Sequence, residues 1–243
     1  MDLELTGKVF VLSGASRGLG LATARVLAAE GAHVVLGARG PGVVQVAEEL
    51  GGTGVVCDLA DPAAAAALVD RALSVYGRLD GALISVGGPP AGTALGLTDA
   101  QWQSAFDSVF LGAVRLCRAV VDAGGTSIAL VLSTSAKSPI GGLAASNGLR
   151  PGLAMLAKTM ADELGPQGIR VNGLLPGRVD TDRVRQLDGP DPAVRVAHAE
   201  AIPLRRYGEP AEFGRVAAFL LSPAASYVTG AMVPVDGGAL RSL

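Results

Sequence analysis

Seven short runs rich in valine, isoleucine and leucine alternate with longer alanine- and leucine-rich stretches, and this alternation most constrains the fold. The runs predict strands at 8–14, 32–38, 54–59, 81–87, 127–133, 169–175 and 231–236. The stretches between them have helical periodicity and predict helices at 18–30, 41–50, 61–76, 98–123, 147–165 and 209–222. Strands that alternate with helices in this way form parallel sheets. We therefore predict an α/β fold, a doubly wound parallel sheet of about seven strands in a single domain over residues 1–243.

The segment between the sixth and seventh strands has the least regular pattern. Residues 177–210 are long for a connection and contain many Asp, Arg and Pro residues. Long connections in α/β enzymes often cover a bound ligand. We therefore expect 177–210 to form a lid.

Composition argues against several classes of partner. The chain has 20 Lys and Arg residues against 22 Asp and Glu residues, a formal net charge of -2. This balance gives no basic surface for nucleic acid, and no apolar run reaches the roughly 18 residues of a membrane span. Cys57 and Cys117 lie far apart in the sequence, with no CxxC motif, so neither a metal site nor a disulfide is predicted. We expect a cytoplasmic protein that binds a small-molecule substrate.

The turn from the first strand into the first helix reads SGASRGLG and carries Gly14, Gly18 and Gly20. Glycines at such a turn let the backbone approach a pyrophosphate closely, and the helix N-terminus offers free N–H groups and the positive end of its dipole. The alternative is that the glycines form only a tight turn. The strand–helix–strand context favours a dinucleotide site.

Arginine stands where dinucleotide folds that prefer NAD carry an acid. The second strand ends in Gly37, Ala38 and Arg39, and Arg17 lies in the glycine turn. A guanidinium can bind a 2′-phosphate through two hydrogen bonds, so the pattern favours NADP, with NAD still possible. The alternative is that both arginines are merely solvated. Asp58, after the third strand, is placed either to reach the adenine ring edge or to cap the following turn.

Four motifs, which occur in order along the chain, resemble those of the short-chain dehydrogenase/reductase family. They are the glycine turn, CDL at 57–59, VNGLLPGRVDTD at 171–182 and YVTGAMVPVDGG at 227–238. The resemblance spans essentially the whole chain and is closest to the 3-oxoacyl-acyl-carrier-protein reductase branch. It implies a Rossmann-type fold, an oxidoreductase that acts on a carbonyl or alcohol substrate, and a homodimer or homotetramer. The cofactor site then comprises Gly14, Ser16, Arg17, Gly18, Leu19, Gly20, Arg39, Asp58, Leu59, Gly87, Pro176, Gly177 and Thr181.

The same resemblance implies a catalytic tetrad of Asn, Ser, Tyr and Lys, and three of its four positions differ here. The positions fall on Val109, Ser133, Ser146 and Arg150, in that order. In the family, the serine holds the substrate oxygen, the tyrosine donates a proton to it, and the lysine lowers the pKa of the tyrosine. The pKa of a phenol can be lowered toward neutrality, but that of a serine hydroxyl cannot, and the arginine side chain stays protonated. Because loss of a positioned acid slows a reaction by about 10²- to 10⁴-fold, we expect Ser133, Ser146 and Arg150 to support at most slow turnover.

Other residues of the sequence are candidates for the missing roles. Tyr207, at the end of the lid, could swing in, and His198 in the lid could be lowered over the cofactor, although a lone histidine is usually only solvated. Lys137 either projects into the pocket mouth or is an exposed loop cation. Thr134 or Ser135 would replace Ser133 if the strand register slipped by one or two residues. Two hypotheses follow: an NADP-linked oxidoreductase with an altered acid, or a cofactor-binding pseudoenzyme that acts as a redox sensor or oligomer partner.

Overall fold

The computed structural model of the chain describes residues 2–242 and places the seven apolar runs in one sheet. Its strands are β1 (Val9–Ser13), β2 (His33–Ala38), β3 (Thr53–Val56), β4 (Gly81–Ile84), β5 (Ser127–Val131), β6 (Arg170–Pro176) and β7 (Met232–Val235). They lie in the order β3-β2-β1-β4-β5-β6-β7, and every pair is parallel. The predicted doubly wound sheet is therefore confirmed.

Nine α-helices lie within the described residues, and six of them cover the two faces of the sheet. They are α1 (Gly18–Ala29), α2 (Gly42–Glu49), α3 (Ala64–Tyr76), α4 (Asp99–Ala105), α5 (Gly112–Asp122), α6 (Ala144–Leu164), α7 (Asp182–Asp188), α8 (Pro192–Ala201) and α9 (Pro210–Leu221). Helices α3, α5 and α6 contribute to the core on one face, and α1, α2 and α9 to the core on the other. Two covered faces explain why the strands are almost uniformly apolar rather than alternating.

The order of the strands reverses between β1 and β4, which are neighbours in the sheet. The chain leaves β1 toward β2 and β3 on one side, and toward β5, β6 and β7 on the other. In open α/β sheets, ligands bind at the carboxyl ends of the strands beside this switch point. The loops that follow β1 and β4 therefore mark the place to look for a site.

Two of the predicted helices, whose ends were approximate to about two to four residues, differ from the structure in an informative way. The predicted helix 98–123 is divided by a π-helical turn, Phe106–Leu111, between α4 and α5. The helix predicted from residue 147 begins at Ala144. Insertions of the π type occur mostly as single turns and frequently at functional sites.

The lid segment contains more regular structure than its sequence pattern indicated. Residues 177–210 include α7 and α8, joined by a short link and followed by a loop that runs to α9. Thr181 caps α7, and its side chain accepts a hydrogen bond from Val184 N. Asp191 caps α8 in the same way at Ala193 N. Both caps are readable in the sequence, but a seven-residue helix shows too little periodicity to be recognised. None of the helices between residues 2 and 242 is long and apolar enough to cross a membrane.

Candidate active site

The glycine turn after β1 is packed too closely for any side chain at two of its positions. A Cβ on Gly14 would lie 2.6 Å from Ser85 O, at the end of β4, and Gly14 has a φ of 58°. A Cβ on Gly20 would lie 2.5 Å from Gly14 O. Ser13 fixes the same junction, since its Oγ donates to Ser85 O at 2.8 Å and accepts from Ser85 N at 3.0 Å. The turn thus draws β1, β4 and the start of α1 together at the switch point.

The N-terminus of α1 is open to a ligand. Arg17 occupies its cap position, and within the described residues no side chain caps the helix there. The first N–H groups of a 12-residue helix therefore point into the crevice together with the positive end of the helix dipole. Gly14 and Gly18 have no side chains, so a pyrophosphate in the crevice could approach the backbone of the turn closely. The residues present therefore suit the dinucleotide expected from the sequence.

The residues proposed to bind the rest of the cofactor lie in loops at the same edge of the sheet. Arg39 and Asp58 follow β2 and β3 and are exposed. The Arg39 guanidinium crosses toward the loop after β4, where a Cβ on Gly87 would lie 3.7 Å from its Nη2. Asp58 Oδ1 accepts a hydrogen bond from Ala60 N at 3.1 Å, so it caps the next turn, as one of the two alternatives stated. This capping leaves its second carboxylate oxygen available to a ligand.

Arg17 and Thr181 connect the glycine turn with the lid. Arg17 Nη1 lies 3.7 Å from Asp182 Oδ2, so its side chain turns toward α7. The Thr181 methyl group lies over the turn, 3.6 Å from where a Cβ on Gly18 would be. A second lid contact crosses the crevice, where Arg183 Nη2 donates to Pro89 O at 2.8 Å. Residues 177–210 thus contact both the glycine turn and the loop after β4.

Leu59, Pro176 and Gly177 support the crevice by packing. Leu59 is buried in the core between α3 and α5. Pro176 ends β6, and a Cβ on Gly177 would lie 2.6 Å from Asp236 Cβ, so the chain passes tightly there. Ser16 and Leu19 are half-buried in and after the glycine turn. The predicted cofactor residues therefore all lie on or directly beneath one edge of the sheet.

The hydroxyl that faces Ser146 belongs to Ser135. Ser135 Oγ and Ser146 Oγ lie 2.9 Å apart, and both side chains are buried. Ser133 instead begins the 3-10 turn Thr134–Ala136, and its Oγ accepts a hydrogen bond from Ser135 N at 3.0 Å. The sequence assigned the serine position to Ser133 and kept Ser135 as an alternative. The 3-10 turn after β5 thus brings Ser135, and not Ser133, into contact with Ser146.

Arg150 lies one helical turn after Ser146 and is almost completely buried, with 5% of its surface exposed. Its Nη1 donates a hydrogen bond to Val131 O at the end of β5. Its Nε has no hydrogen-bond partner within residues 2–242, and no carboxylate of those residues lies within salt-bridge distance. Burial lowers the pKa of Arg150 to about 10, which still leaves it protonated at neutral pH. The site therefore holds a cation without a counter-ion.

The π-helical turn of residues 106–111 lies on the helix that packs next to α6. Val109, at the position the resemblance assigned to asparagine, is completely buried within it. The resemblance implies that the asparagine holds a water molecule next to the lysine, and a valine side chain cannot hold one by hydrogen bonds. The π-helical turn is thus present, but Val109 stands in it where the resemblance implies an asparagine.

Comparison with known proteins now decides the family. A family model described as enoyl-(acyl carrier protein) reductase matches residues 14–239. The chain is also 35% identical over 246 residues to dehydrogenase/reductase SDR family member 4 of Homo sapiens, an alignment that covers 96% of this chain and 88% of that protein. The chain belongs to the short-chain dehydrogenase/reductase family. It is thus a member of a family of oxidoreductases.

Solved structures similar to this short-chain dehydrogenase/reductase agree with the fold. L-sorbose reductase from Gluconobacter frateurii, complexed with NADPH and L-sorbose, is 32% identical with a TM-score of 0.93 and full coverage of both chains, 100% and 100%. A short chain oxidoreductase from Pseudomonas aeruginosa PAO1, described as containing an atypical catalytic center, is 28% identical with a TM-score of 0.90, covering 98% of this chain and 99% of that one. The Rossmann-type fold is therefore confirmed.

In this short-chain dehydrogenase/reductase, the two replacement acids considered in the lid, Tyr207 and His198, are both held by other side chains of the lid. Tyr207 is buried, and its hydroxyl donates to Asp188 Oδ2 at 2.8 Å. Burial, and next the hydrogen bond to Asp188, raise the pKa of Tyr207. Arg178 Nη2 lies 3.0 Å from His198 Nε2, and because a guanidinium can only donate, Nε2 must accept. His198 Nδ1 then carries the hydrogen and lies 3.4 Å from the Tyr207 hydroxyl and 3.1 Å from Asp188 Oδ1.

The remaining candidates lie away from Ser146. Lys137 is exposed on the loop after the 3-10 turn. This agrees with the alternative that Lys137 is an exposed loop cation. Tyr76 stacks on His33 with ring centroids 4.8 Å apart, and Tyr227 is fully exposed before β7. No tyrosine of the described chain therefore approaches the Ser135–Ser146 pair.

Proposed function

We propose that this protein is an NADPH-preferring oxidoreductase that acts on a carbonyl or alcohol substrate, with Ser133, Ser135, Ser146 and Arg150 at the reacting end. The observation that carries the proposal is the uncapped N-terminus of α1 in a glycine turn that excludes side chains. Arg39, with no acid beside it at the end of β2, favours the 2′-phosphate of NADP over NAD. The L-sorbose reductase that is similar in fold was crystallised with NADPH, which supports the same preference.

Each group of the site has a separate part in the proposal. The backbone N–H groups of α1 would hold the pyrophosphate, and Arg39 the 2′-phosphate. When bound, the nicotinamide supplies hydride chemistry. The serine hydroxyls would hold the substrate oxygen, and Arg150 would provide positive charge beneath it. Thr181 and the lid would exclude water from the crevice.

The experiment is a calorimetric titration of the purified protein with NADPH and, separately, with NADH. We expect NADPH to bind at least tenfold more tightly, since hydrogen bonds to a charged group contribute about 1.5–3 kcal/mol. Turnover is then measured across a panel of carbonyl and alcohol compounds. Failure of both cofactors to bind would contradict the proposal, and cofactor binding without turnover of any substrate would contradict its enzymatic part.

A second candidate function is that of a cofactor-binding pseudoenzyme, either a redox sensor or an inactive oligomer partner. The engagement of Tyr207 and His198 by Asp188 favours it, because neither side chain is free to act as an acid. The double substitution Ser146→Tyr with Arg150→Lys separates the two functions. Activity gained by the double variant over an inactive parent would support the second candidate, whereas substrate-dependent NADPH oxidation by the parent would exclude it.

A homodimer or homotetramer is part of the first proposal. The sequences of α5 and α6 are apolar on more than one face, and Met155 on α6 is 67% exposed. Apolar surface on such helices favours contact with a second copy. Sedimentation at micromolar concentration tests this assembly, and a monomer would contradict it.

A further inference from the structure

The lid segment, residues 177–210, carries six arginines, and one of them reaches across the crevice without an acidic partner. Within residues 2–242, four of the six lie within salt-bridge distance of a carboxylate: Arg178, Arg185, Arg195 and Arg206. In the same range Arg205 has no such partner, but it is exposed and donates to Glu200 O of the lid segment itself. Arg183 has none either, and it is half-buried. Its charge is therefore available to a ligand in the crevice.

Arg183 extends from α7 to the loop after β4. Its Nη2 donates to Pro89 O at 2.8 Å, and a Cβ on Gly88 would lie 2.7 Å from its Nε. Because residue 88 has no side chain, the guanidinium lies directly against the backbone of the loop. A guanidinium has five N–H donors, and within the described chain the bond to Pro89 uses one of them. Donors on both terminal nitrogens remain, which is what a paired contact to a carboxylate requires.

The loop after β4 links the glycine turn to the serine pair. It begins beside the glycine turn, and at Gly92 it reaches the start of α6, where Gly92 O accepts a hydrogen bond from Ala144 N at 3.1 Å. Ala144 lies two residues before Ser146. Pro89 lies three residues before Gly92, and three residues span at most about 11 Å. Arg183 therefore contacts the loop between the cofactor turn and the reacting end, within the length of a small substrate.

The acids at the start of α7 leave the charge of Arg183 uncompensated. Asp180 and Asp182 lie within salt-bridge distance of three other arginines: Arg17, Arg185 and Arg195. Arg183 is a fourth cation next to Asp182 in the chain, so this part of the crevice has an excess of positive charge. Arg150, beside the serine pair, adds a cation that has no counter-ion among residues 2–242. A cleft lined by charges of one sign concentrates ligands of the opposite sign.

We propose that the substrate carries a carboxylate and that Arg183 binds it, while the carbonyl or hydroxyl group of the same molecule lies at Ser135 and Ser146. This proposal rests on the proposed function and names the substrate class of its site, an oxo acid or hydroxy acid whose two polar groups lie at opposite ends. The carboxylate takes no part in the redox step. Its contact with Arg183 holds the other end of the substrate against the serines.

The charges of the cofactor have other partners in the proposed function. The N–H groups at the start of α1 would hold the pyrophosphate, and Arg39 the 2′-phosphate. Neither contact needs Arg183, which meets the protein at Pro89 rather than at the glycine turn or at the end of β2. A carboxylate on the substrate is therefore the anion that Arg183 is placed to bind.

The first arm of the test measures NADPH-dependent reduction of 4-oxopentanoate and of its methyl ester, which share the ketone and the carbon chain and differ in charge. We expect kcat/KM to be at least tenfold higher for the acid, because hydrogen bonds to charged groups correspond to about 10- to 100-fold in affinity. Arg183→Met should raise KM for the acid about 10- to 100-fold with little change in kcat, as loss of uniform binding does. The ester should be unaffected. Arg183→Lys keeps the charge without the paired donors, so its KM should be intermediate.

The second arm measures binding of 4-oxopentanoate to the purified full-length protein by calorimetry, without cofactor. Arg183→Met should weaken this binding at least tenfold. Arg205→Met is the matched control, since Arg205 also lies in the lid segment and donates to a carbonyl, and it should bind 4-oxopentanoate like the parent. NADPH should bind Arg183→Met and the parent with affinities within about twofold.

Equal kcat/KM for the acid and the ester, equal affinity of the parent and Arg183→Met for the acid, or no interaction with 4-oxopentanoate in either arm would overturn the proposal. Loss of NADPH affinity in Arg183→Met without loss of affinity for the acid would reassign Arg183 to the cofactor and overturn it too. Failure of the proposed function is distinguishable. If the protein binds no NADPH, the second arm still decides whether Arg183 binds the carboxylate, whereas equal reduction of acid and ester would keep the proposed function and exclude the substrate class.

Discussion

Replacement of Arg150 by methionine should make the folded protein more stable. Burial lowers the pKa of Arg150 to about 10, from an ordinary value of about 12.5. At about 1.4 kcal/mol for each pKa unit, the charged side chain destabilises the folded state by about 3 kcal/mol. Methionine fills a similar volume without charge, but it leaves Val131 O without its donor, which costs about 1–2 kcal/mol. The net gain is about 1–2 kcal/mol.

Thermal unfolding and urea titration measure this gain. For a chain of this size, 1 kcal/mol corresponds to about 2–4 °C, so the melting temperature should rise by about 2–8 °C. A cation with a lowered pKa destabilises the fold at every pH below that pKa, and the penalty is relieved only as the pH rises through about 10. The gain should therefore be equal at about pH 6 and about pH 8.

Arg71→Met is the matched control, and its stability should change by less than about 0.5 kcal/mol because the side chain is exposed. If Arg150→Met instead lost about 2 kcal/mol or more at both pH values, Arg150 would be a structural arginine like Arg170. Its burial would then serve the fold and not the binding of a ligand at the serine pair.

Three further substitutions test the cofactor site, the lid and the fold. Arg39→Gln should weaken NADPH binding by about 10- to 100-fold and leave NADH binding unchanged, as measured by calorimetry. Asp188→Asn replaces a carboxylate, which accepts from Arg178 and Tyr207 and lies 3.1 Å from His198 Nδ1, with a neutral amide that has one acceptor oxygen. It should therefore cost about 3 kcal/mol and raise hydrogen exchange across 178–208. Burial opposes ionisation of Asp80, but hydrogen bonds from Arg78 and Val9 N and the charge of Lys8 lower its pKa. Asp80→Asn should therefore cost about 2 kcal/mol at neutral pH. The difference should begin to shrink near the ordinary aspartate pKa of about 4 and should vanish only below the lowered pKa of Asp80, where the carboxylate of the folded parent is protonated.

The sheet and the glycine turn could be predicted because each is written in consecutive residues. Val9 to Ser13 are uniformly apolar or small and buried on both faces, which is the pattern of a central parallel strand. Gly14 and Gly20 could be assigned from their spacing, since no other residue fits the contacts that the turn makes. Such features depend on local geometry, and local geometry is visible in sequence.

The choice between Ser133 and Ser135 could not be made from sequence. Both residues lie in or next to the short 3-10 turn after β5, and the hydrogen bond from Ser135 N to Ser133 Oγ fixes the conformation of this turn. The engagement of His198 and Tyr207 was equally hidden, because Asp188 approaches them from ten and nineteen residues away. Contacts between distant residues in an irregular segment leave no periodic signal.

Arg150 is a buried cation that has no counter-ion within residues 2–242. A site that served no ligand would become more stable by losing an unpaired buried charge, whereas a site that binds an anion recovers the energy when the anion arrives. An oxyanion ligand at 100 times its dissociation constant should then stabilise the parent protein by about 2.7 kcal/mol. The same ligand should not stabilise Arg150→Met, although that variant begins from a higher melting temperature. Equal stabilisation of both proteins would place the ligand elsewhere and leave the buried arginine unexplained.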